Sequence, residues 1–247
     1  MRIIARLDIK NEFLIKGINL EGLRKIGIAK EEAIKYYQNN IDEMVYIDTV
    51  ASLYSRNAML DILKNSVKNI FVPITVGGGI KNLDDAINYF ENGADKVFVN
   101  TSAVNNPLII DELVKHFGKA NITLSIEAKQ IDKNIFNAYT SSGRDNSGKN
   151  VEDWIKEAID RGVGEIFLTS VDNDGLQRGF NPQLIELSCN ASTVPVVISG
   201  GFGKLEHLQI LNKEISGIAI GSALHYQKIS IKEIKNKISQ LGFDVRL

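Results

Sequence analysis

Eight short runs rich in apolar and β-branched residues alternate with helix-like runs from one end of the chain to the other. The strand-like runs are nearly continuous in apolar residues, which is typical of parallel strands covered on both faces. Eight alternating βα units in 247 residues predict an α/β fold, the (β/α)8 TIM barrel, with a doubly wound open sheet as the alternative. The predicted strands cover residues 2–8, 44–48, 70–76, 96–100, 122–128, 165–171, 194–200 and 217–221. The predicted helices lie near residues 30–39, 56–66, 82–91, 105–116, 151–161, 181–188, 204–212 and 230–240.

The chain also repeats itself at an offset of roughly 120 residues. The matching pairs are LDIK at 7–10 with IEAK at 126–129, VGGGI at 76–80 with ISGGFG at 198–203, and VNTSA at 99–103 with IGSAL at 220–224. Three matches in register indicate two half-barrels of four strands each, related by a pseudo-twofold axis.

Composition and charge exclude several classes of protein. The formal net charge of −1 gives no electrostatic case for nucleic-acid binding. No apolar run approaches the ~18 residues of a membrane helix, and MRIIARLDI at the start lacks the features of a signal peptide. One cysteine, Cys189, excludes an intramolecular disulfide and favours the cytoplasm. No linker or composition shift divides the chain, so we expect a single domain over residues 1–247.

Two of the predicted strands end in a carboxylate, Asp8 in RLDIK and Glu127 in LSIEAK. An unpaired carboxylate in an apolar setting costs several kcal/mol, so each acid needs a partner or a function. The pseudo-twofold axis places Asp8 and Glu127 facing each other at the carboxyl ends of the barrel strands, which suits general acid and base catalysis. The alternative is a structural role in which Lys10 or Lys129 pairs with the nearby acid.

Glycine-rich turns follow the third and seventh predicted strands, and polar turns follow the fourth and eighth. They are Gly77–Gly79, Asn100–Thr101, Gly200–Gly201 and Gly221–Ser222. Glycines open backbone N–H groups to a phosphate, and a hydroxyl at a helix N-terminus adds further donors. A single such turn can be only a tight turn, but two on opposite sides of one barrel mouth predict a ligand with a phosphate at each end.

Two further stretches predict long loops on the same face of the barrel. One surrounds Gly17 in LIKGIN after the first strand, and the other is TSSGRDNSGKN at 140–150 after the fifth. Loops of that length at one barrel face are usually functional. We therefore expect both to border the ligand site.

Six segments carry a resemblance to a known family: RIIARLDIK…LIKG, DEMVYIDTVAS, PITVGGGI, GADKVFVNTSAV, GEIFLTSVDNDG and ISGGFGKLEH. Together they resemble the cyclase subunit of imidazole glycerol phosphate synthase, over essentially the whole chain and including the GFDVRL ending. The resemblance implies a lyase of histidine biosynthesis that takes ammonia from a separate glutaminase subunit. It implies addition of that ammonia to a bis-phosphorylated ribulosyl-formimino-aminoimidazole carboxamide, with release of imidazole glycerol phosphate and the aminoimidazole ribotide.

The resemblance also implies roles for individual residues. Asp8 and Glu127 match the acid–base pair, although the family has aspartate at the second position, and Lys16 matches a loop lysine that closes over substrate. Substrate- and phosphate-binding positions are implied at Asp48, Gly79, Asn100, Thr101, Asp174, Gly175, Gly201 and Ser222. We expect no cofactor and no metal, because three scattered histidines and one cysteine make no metal-binding spacing.

Four charged residues begin strands at the opposite face of the barrel: Arg2, Glu43, Lys96 and Glu165. Two positive and two negative charges can pair with one another and plug that end. The resemblance implies instead the gate through which ammonia enters the barrel, and the two roles are compatible. Asp95 matches a position that faces the glutaminase, which implies a heterodimer.

The catalytic face departs from the family in three places. Glu127 is one methylene longer than aspartate, Gly27-Ile28-Ala29 stands where the family has Gly-Asp-Pro, and Leu176-Gln177 stands where it has Thr-Lys. Such a pattern also suits a paralogue that supplies ammonia to a sugar amidotransferase making acetamidino groups on bacterial surface sugars. A third hypothesis is a phosphosugar isomerase like the sister enzyme of histidine synthesis, which the four charges and the GADKV segment disfavour.

Overall fold

The computed structural model describes residues 1–49 and 57–246. Within them eight parallel strands close into a barrel surrounded by helices, which confirms the (β/α)8 prediction. With all strands numbered in chain order, the barrel strands are β1 (Arg2–Lys10), β4 (Glu43–Asp48), β5 (Ile74–Gly77), β6 (Lys96–Val99), β7 (Ile122–Asp132), β10 (Glu165–Ser170), β11 (Val196–Ser199) and β12 (Ile215–Ile220). The remaining strands are β2 (Phe13–Ile18), β3 (Glu21–Ile28), β8 (Ile135–Thr140) and β9 (Asp145–Asn150).

The barrel closes because the first and last barrel strands pair with each other. Strand β1 lies parallel to both β12 and β4, with Arg2 opposite Gly217 and Ile4 opposite Glu43. Strand β7 joins the two half-barrels through parallel pairing with β6 on one side and β10 on the other. The carboxyl ends of all eight strands therefore open onto one face, where a barrel of this kind carries its site.

The long loops expected after the first and fifth strands are β-hairpins. Strand β1 extends past the barrel and pairs antiparallel with β2, which pairs with β3. Strand β7 likewise pairs with β8, which pairs with β9. Both hairpins stand above the barrel mouth, where strands β3 and β9 are exposed or half-buried along their whole length. Strand β9 carries mostly polar side chains, and β3 mixes charged residues with glycine, leucine and isoleucine. Their residues lack the apolar alternation of a half-buried strand, and this is why the sequence suggested loops.

The barrel interior is built in layers because side chains two residues apart on a strand share a face. Charged residues begin strands β1, β4, β6 and β10 at the amino-terminal face. The next inward position on each of these four strands is apolar: Ile4, Val45, Phe98 and Phe167. These side chains form a cluster inside the barrel with Val197 of β11 and Ala219 of β12. The third inward position of β1 is Arg6, which lies towards the carboxyl end of the strand. A charged layer, an apolar layer and a polar layer thus follow one another along the barrel axis.

The outer helices occur near the predicted positions: α1 (Ala29–Gln38), α2 (Asn57–Ser66), α3 (Leu83–Glu91), α4 (Thr101–Asn105), α5 (Leu108–Phe117), α6 (Val151–Asp160), α7 (Pro182–Ala191), α8 (Ser222–His225) and α9 (Ile231–Gln240). Residue 56, where the second predicted helix starts, lies outside the described residues. The helix predicted at 105–116 is two helices, because the chain turns at Asn106–Pro107 between them. The helix predicted at 204–212 is a 3₁₀ helix, Leu205–Ile210. None of the helices in the described part of the chain has the length and apolar character needed to span a membrane.

Candidate active site

Asp8 and Glu127 both lie at the carboxyl end of the barrel and both face its interior. Asp8 pairs with Ile15 and Ile47 on the neighbouring strands, and Glu127 lies opposite Thr169. Their charges act on each other, since the carboxylate of Asp8 raises the pKa of Glu127. The arrangement expected from the internal repeat, with the two acids near each other at one barrel mouth, is therefore present.

The Asp8 carboxylate is held between two cations. Nε of Arg6 donates to Oδ1 at 2.9 Å, and Nζ of Lys16 donates to Oδ2 at 3.2 Å. Burial by itself raises the pKa of the Asp8 carboxyl, but the two cations outweigh it and lower that pKa to about 2. Asp8 is therefore a permanent carboxylate at neutral pH.

Asp174 completes a group of four buried charges. Nζ of Lys16 donates to its Oδ1 at 2.5 Å, and Nη1 of Arg6 lies 3.5 Å from its Oδ2. All four side chains are only 3–5 % exposed. We call this group, Arg6, Asp8, Lys16 and Asp174, the charged partition. Two cations and two anions alternate in it, so each buried charge has an opposite neighbour, as burial in a barrel requires.

Glu127 lies in a different electrostatic environment from Asp8. Burial raises the pKa of its carboxyl to about 7, against the opposing effects of the Gly143 N–H, which donates to Oε2 at 2.8 Å, and of Arg6. The lysines considered as structural partners pair with neither acid: Lys10 is exposed, and Nζ of Lys129 lies 4.9 Å from the centre of the Tyr139 ring. One acid is thus fixed as a carboxylate, while the other titrates near neutrality.

Two cavities open at the carboxyl face, one on each side of the charged partition. The first has a volume of about 480 Å³, and Arg6 and Glu127 form part of its wall. The second has a volume of about 580 Å³, and Lys16 forms part of its wall. The first also contains the predicted positions Asp48, Gly79, Asn100 and Thr101, and the second contains Gly175 and Ser222. Lys81 and Arg144 add positive charge to the first cavity, and Arg24 and Lys228 add it to the second.

The structure separates two predicted residues from these cavities. Asp8 borders neither cavity, because Arg6 and Lys16 cover its carboxylate. Gly201 packs against the loop after β10, where its carbonyl accepts the N–H of Gly179 at 2.9 Å. A Cβ at position 201 would lie 2.0 Å from the carbonyl oxygen of Gly179, so this glycine is required for packing of that loop.

The β2–β3 hairpin carries Lys16 and is anchored at its turn. The N–H of Asn19 donates to the Asp174 carbonyl at 2.8 Å, and its side-chain amide donates to the Val171 carbonyl at 2.8 Å. Gly175 adopts a φ of +77°, and a Cβ there would lie 2.4 Å from the Gly17 carbonyl oxygen. The hairpin and the loop after β10 are therefore in close backbone contact, which fixes Lys16 beside both aspartates.

Arg6 belongs to this site, and the sequence analysis missed it. His225 borders neither cavity, but it is buried close enough to Asp8, Lys16 and Arg6 for their charges to act on its pKa. Nδ1 of His225 and the Tyr36 hydroxyl form a hydrogen bond of 2.7 Å, and burial lowers the pKa of the imidazole to about 4. Arg6 interrupts an apolar strand and lies two residues before Asp8, on the same strand face. That spacing is a signal from which its place beside Asp8 could have been predicted.

At the amino-terminal face the four predicted charges form a closed ring of alternating sign. Arg2 pairs with Glu43 at 2.7 Å and with Glu165, and Lys96 pairs with Glu43 at 3.3 Å and with Glu165 at 3.0 Å. We call these four residues the entrance ring. Asp95 is exposed beside it, and its Oδ2 accepts the N–H of Ile74 at 2.8 Å. The apolar layer separates the entrance ring from the charged partition.

Comparison with known proteins gives a consistent result. Residues 2–230 match the family described as histidine biosynthesis protein. Imidazole glycerol phosphate synthase subunit HisF of Legionella pneumophila is 47% identical over 206 residues, which are 83% of this chain and 97% of that protein. The subunits of the same name from Thermococcus onnurineus and Natranaerobius thermophilus are 41% and 39% identical, each over 100% of this chain and 98% of the relative.

Proposed function

This chain belongs to the histidine biosynthesis protein family, among its HisF subunits, and from that membership we propose that it is the ammonia-dependent cyclase of imidazole glycerol phosphate synthase. Its substrate is then a bis-phosphorylated ribulosyl-formimino-aminoimidazole carboxamide. The relatives compared above all carry the name of that synthase subunit. This supports the cyclase over the sugar-amidating paralogue and over the isomerase.

The observation that carries the proposal is the pair of basic cavities on either side of the charged partition. A phosphate at Gly79 and Thr101 and another at Gly175 and Ser222 would place the middle of the ligand at the partition. Each cavity offers backbone N–H groups, a hydroxyl and nearby cations, which together suit a phosphate dianion. A ligand with a single phosphate would leave one of the two cavities without its charge complement.

The two acids then have different roles. Glu127 borders the first cavity and titrates near neutrality, so it is suited to take up and return a proton during the reaction. Asp8 remains ionised and acts through the two cations that it holds, Arg6 and Lys16. The second acid is longer than the family aspartate, and the N–H of Gly143 fixes the position of its carboxylate.

The relatives are named as subunits of a synthase, and we propose that the partner of this chain is a glutaminase bound at the amino-terminal face. The exposed Asp95 beside the entrance ring supports contact there. Ammonia would cross the entrance ring and the apolar layer to the charged partition. We also propose a cytoplasmic location, which suits the free Cys189, and a single domain over residues 1–247, which suits the pairing of β1 with β12.

The test is turnover of the bis-phosphate substrate with ammonium salts as the only nitrogen source. We expect imidazole glycerol phosphate to form with the wild-type chain and to be lost in Asp8→Asn, because the amide removes one of the two anions that Arg6 and Lys16 share. Asp132→Asn, which neutralises an exposed acid at the end of β7, is the matched control and should turn over normally.

Three results would contradict the proposal. Absence of turnover at every ammonium concentration would exclude the cyclase. Isomerisation of the mono-formimino precursor without a nitrogen donor would favour the isomerase. Failure of the gene to complement a strain that lacks the cyclase, together with binding of a glutaminase, would favour the sugar-amidating paralogue.

A further inference from the structure

Arg6 is a buried cation at the centre of the site. It occupies the third inward position of β1, directly beyond Ile4 of the apolar layer and before Asp8 on the same face. Its side chain is 5 % exposed, and it forms part of the wall of the first cavity. Burial by itself would lower its pKa, but Asp8 and Asp174 raise that pKa above its ordinary value, so the guanidinium remains charged.

The hydrogen bonds of Arg6 leave one of its nitrogen atoms unused. Nε donates to Asp8, and Nη1 lies within 3.3–3.5 Å of Thr169, Ser199 and Asp174. Nη2 carries two N–H groups but donates to no atom of the described residues. Among the described residues, Nη2 is not one of the polar atoms that are both fully enclosed and unpaired, so some of its surface is open to the cavity. Since Arg6 borders the first cavity, these two donors are available to a ligand there.

The surroundings of Nη2 define what such a ligand atom would be. Glu127, Ser125 and Thr169 border the same cavity close to the barrel axis, whereas Gly79 and Thr101 border it at the strand ends. A phosphate is thus served by the outer residues, and the group that meets Arg6 belongs to the middle of the ligand. A guanidinium donates and never accepts, so its partner there is a hydrogen-bond acceptor of the ligand.

We propose that Arg6 is a further catalytic residue, which donates from Nη2 to the ribulosyl carbonyl oxygen of the substrate beside Glu127. This inference rests on the proposed function. The contacts with Asp8, Thr169 and Ser199 hold the guanidinium in place, so that no reorganisation is needed when the ligand arrives.

The contact assists the addition of ammonia to that carbonyl. The nitrogen lone pair forms the new C–N bond, and the π electrons of the C=O bond move to oxygen, whose developing negative charge accepts the Nη2 hydrogen bond. The nitrogen passes one proton to the Glu127 carboxylate, and the resulting acid returns it to the oxygen. The carbinolamine that results contains all the atoms of ammonia and of the ketone, and no charge remains unaccounted for.

If Arg6 had only a structural role, its removal would affect ligand binding differently. If Arg6 only neutralised Asp8 and Asp174, its removal would weaken every ligand of the site to the same degree. A direct contact with one oxygen weakens only the ligands that carry that oxygen. The two cases are therefore distinguished by comparing two ligands, rather than by loss of activity.

The experiment measures the dissociation constants of two ligands by calorimetry, without any nitrogen donor so that no turnover occurs. One ligand is the bis-phosphate substrate, and the other is its analogue with the ribulosyl carbonyl replaced by a methylene. We expect the wild-type chain to prefer the carbonyl ligand by roughly tenfold to a hundredfold, the range for a hydrogen bond to a charged group. Arg6→Met should abolish that preference, and Lys10→Met, which removes an exposed cation from the same strand, should keep it.

Arg6→Lys is the second variant, in case Arg6→Met does not fold. It keeps a cation near Asp8 but loses the forked donors, so the preference should again fall. A preference that is unchanged in the variants, or a wild-type chain that binds both ligands equally, would overturn the contact and leave the proposed function standing. A wild-type chain that binds neither ligand would overturn both.

Discussion

Arg6 and Asp8 lie two residues apart on strand β1, and Nε of Arg6 donates to Oδ1 of Asp8 at 2.9 Å inside the barrel. Because residues two apart share a strand face, this contact follows directly from the RLD segment once the strand is in place. It fixes the charge of Asp8 and leaves Glu127 as the acid that titrates near neutrality. The different roles of the two acids therefore depend on Arg6. The second half-barrel has no equivalent arginine, because Ser125 occupies the matching position in Leu124-Ser125-Ile126-Glu127.

The rate of ammonium-driven turnover should depend on the ionisation of Glu127. We expect kcat/KM, expressed per free ammonia, to rise about tenfold per pH unit below pH 7 and to level above it, because the carboxylate is the form that accepts a proton. The measurement is a pH profile at constant free ammonia. Glu127→Gln should lose this ionisation along with most of its activity, and a wild-type profile that is flat between pH 5 and 8 would contradict the assignment.

The stability of the fold should also depend on Glu127. Its pKa is about 7 in the folded chain against an ordinary value of 4.5, so the folded chain binds the proton more tightly, and stability falls as pH rises from about 4.5 to about 7. The loss is of the order of 3 kcal/mol. Glu127→Gln resembles the protonated acid, so its melting temperature should exceed that of the wild type by more at pH 8 than at pH 5.

The stability of the wild type has to be compared with that of Glu127→Gln because His225 also makes stability depend on pH. Its pKa is lowered to about 4, so its contribution to stability runs in the opposite sense and increases as pH rises from about 4 to 6.5. This contribution is common to the wild type and Glu127→Gln and cancels in their difference. A difference in melting temperature that does not change with pH would show that Glu127 titrates at its ordinary value.

Removing Arg6 should destabilise the fold through the charges that it leaves behind. Arg6→Met leaves Asp8 and Asp174 with Lys16 alone, and loss of one partner from a buried ion pair costs about 3 kcal/mol or more. Asp8→Asn in the same chain removes one of those anions, so the double variant should lose less than the sum of the two single losses. Urea denaturation of the four proteins measures this coupling.

The exposed pair of Glu152 and Lys156 provides the control for that measurement. These residues form an i,i+4 pair of 2.7 Å on the surface of α6, where coupling is about 0.3–0.5 kcal/mol. A coupling between Arg6 and Asp8 no larger than this would contradict the description of the charged partition as a buried network.

The entrance ring should affect the delivery of ammonia more than the chemistry. Arg2→Met breaks two ion pairs of the ring, yet the charged partition lies beyond the apolar layer and is left intact. We expect glutamine-driven turnover with a bound glutaminase to fall several-fold relative to ammonium-driven turnover by the same protein. Lys35→Met, which breaks an exposed pair with Glu32 on α1, should leave that ratio unchanged. Equal loss of both activities would mean that the ring has a structural role only.

The sequence predicted the barrel well because parallel strands covered on both faces leave a strong apolar signal. The predicted strands 70–76 and 194–200 begin early, since the apolar residues before Pro73 and Pro195 lie outside the strands Ile74–Gly77 and Val196–Ser199. The hairpins were missed because their outer strands are exposed or half-buried and lack a regular alternation of apolar and polar residues. From the residues themselves the site was predicted where acids, glycines and polar turns end strands, whereas Lys16 and Asp174 were predicted only through the resemblance. Arg6 was read as part of a buried strand, and its contacts with Thr169 and Ser199 join strands far apart in sequence, which no local pattern records.

Gly175 should be required to keep the β2–β3 hairpin in contact with the loop after β10. Alanine at this position would place a Cβ 2.4 Å from the Gly17 carbonyl oxygen, in addition to the cost of a left-handed φ of +77°. The hairpin would have to move, and Lys16, next to Gly17, would leave the charged partition and the second cavity. Gly175→Ala should therefore raise the KM for the bis-phosphate substrate roughly tenfold or more, measured with ammonium at saturation.

Gly242, which follows α9 and borders neither cavity, separates the two effects of that substitution. It has a similar φ of +85°, but a Cβ there would meet no atom within 4 Å. Gly242→Ala carries the backbone cost alone, about 1 kcal/mol of stability, and should leave the KM unchanged. If the two alanine variants raise KM equally, left-handed strain rather than the contact with Gly17 explains the effect, and the hairpin does not depend on Gly175 for its position.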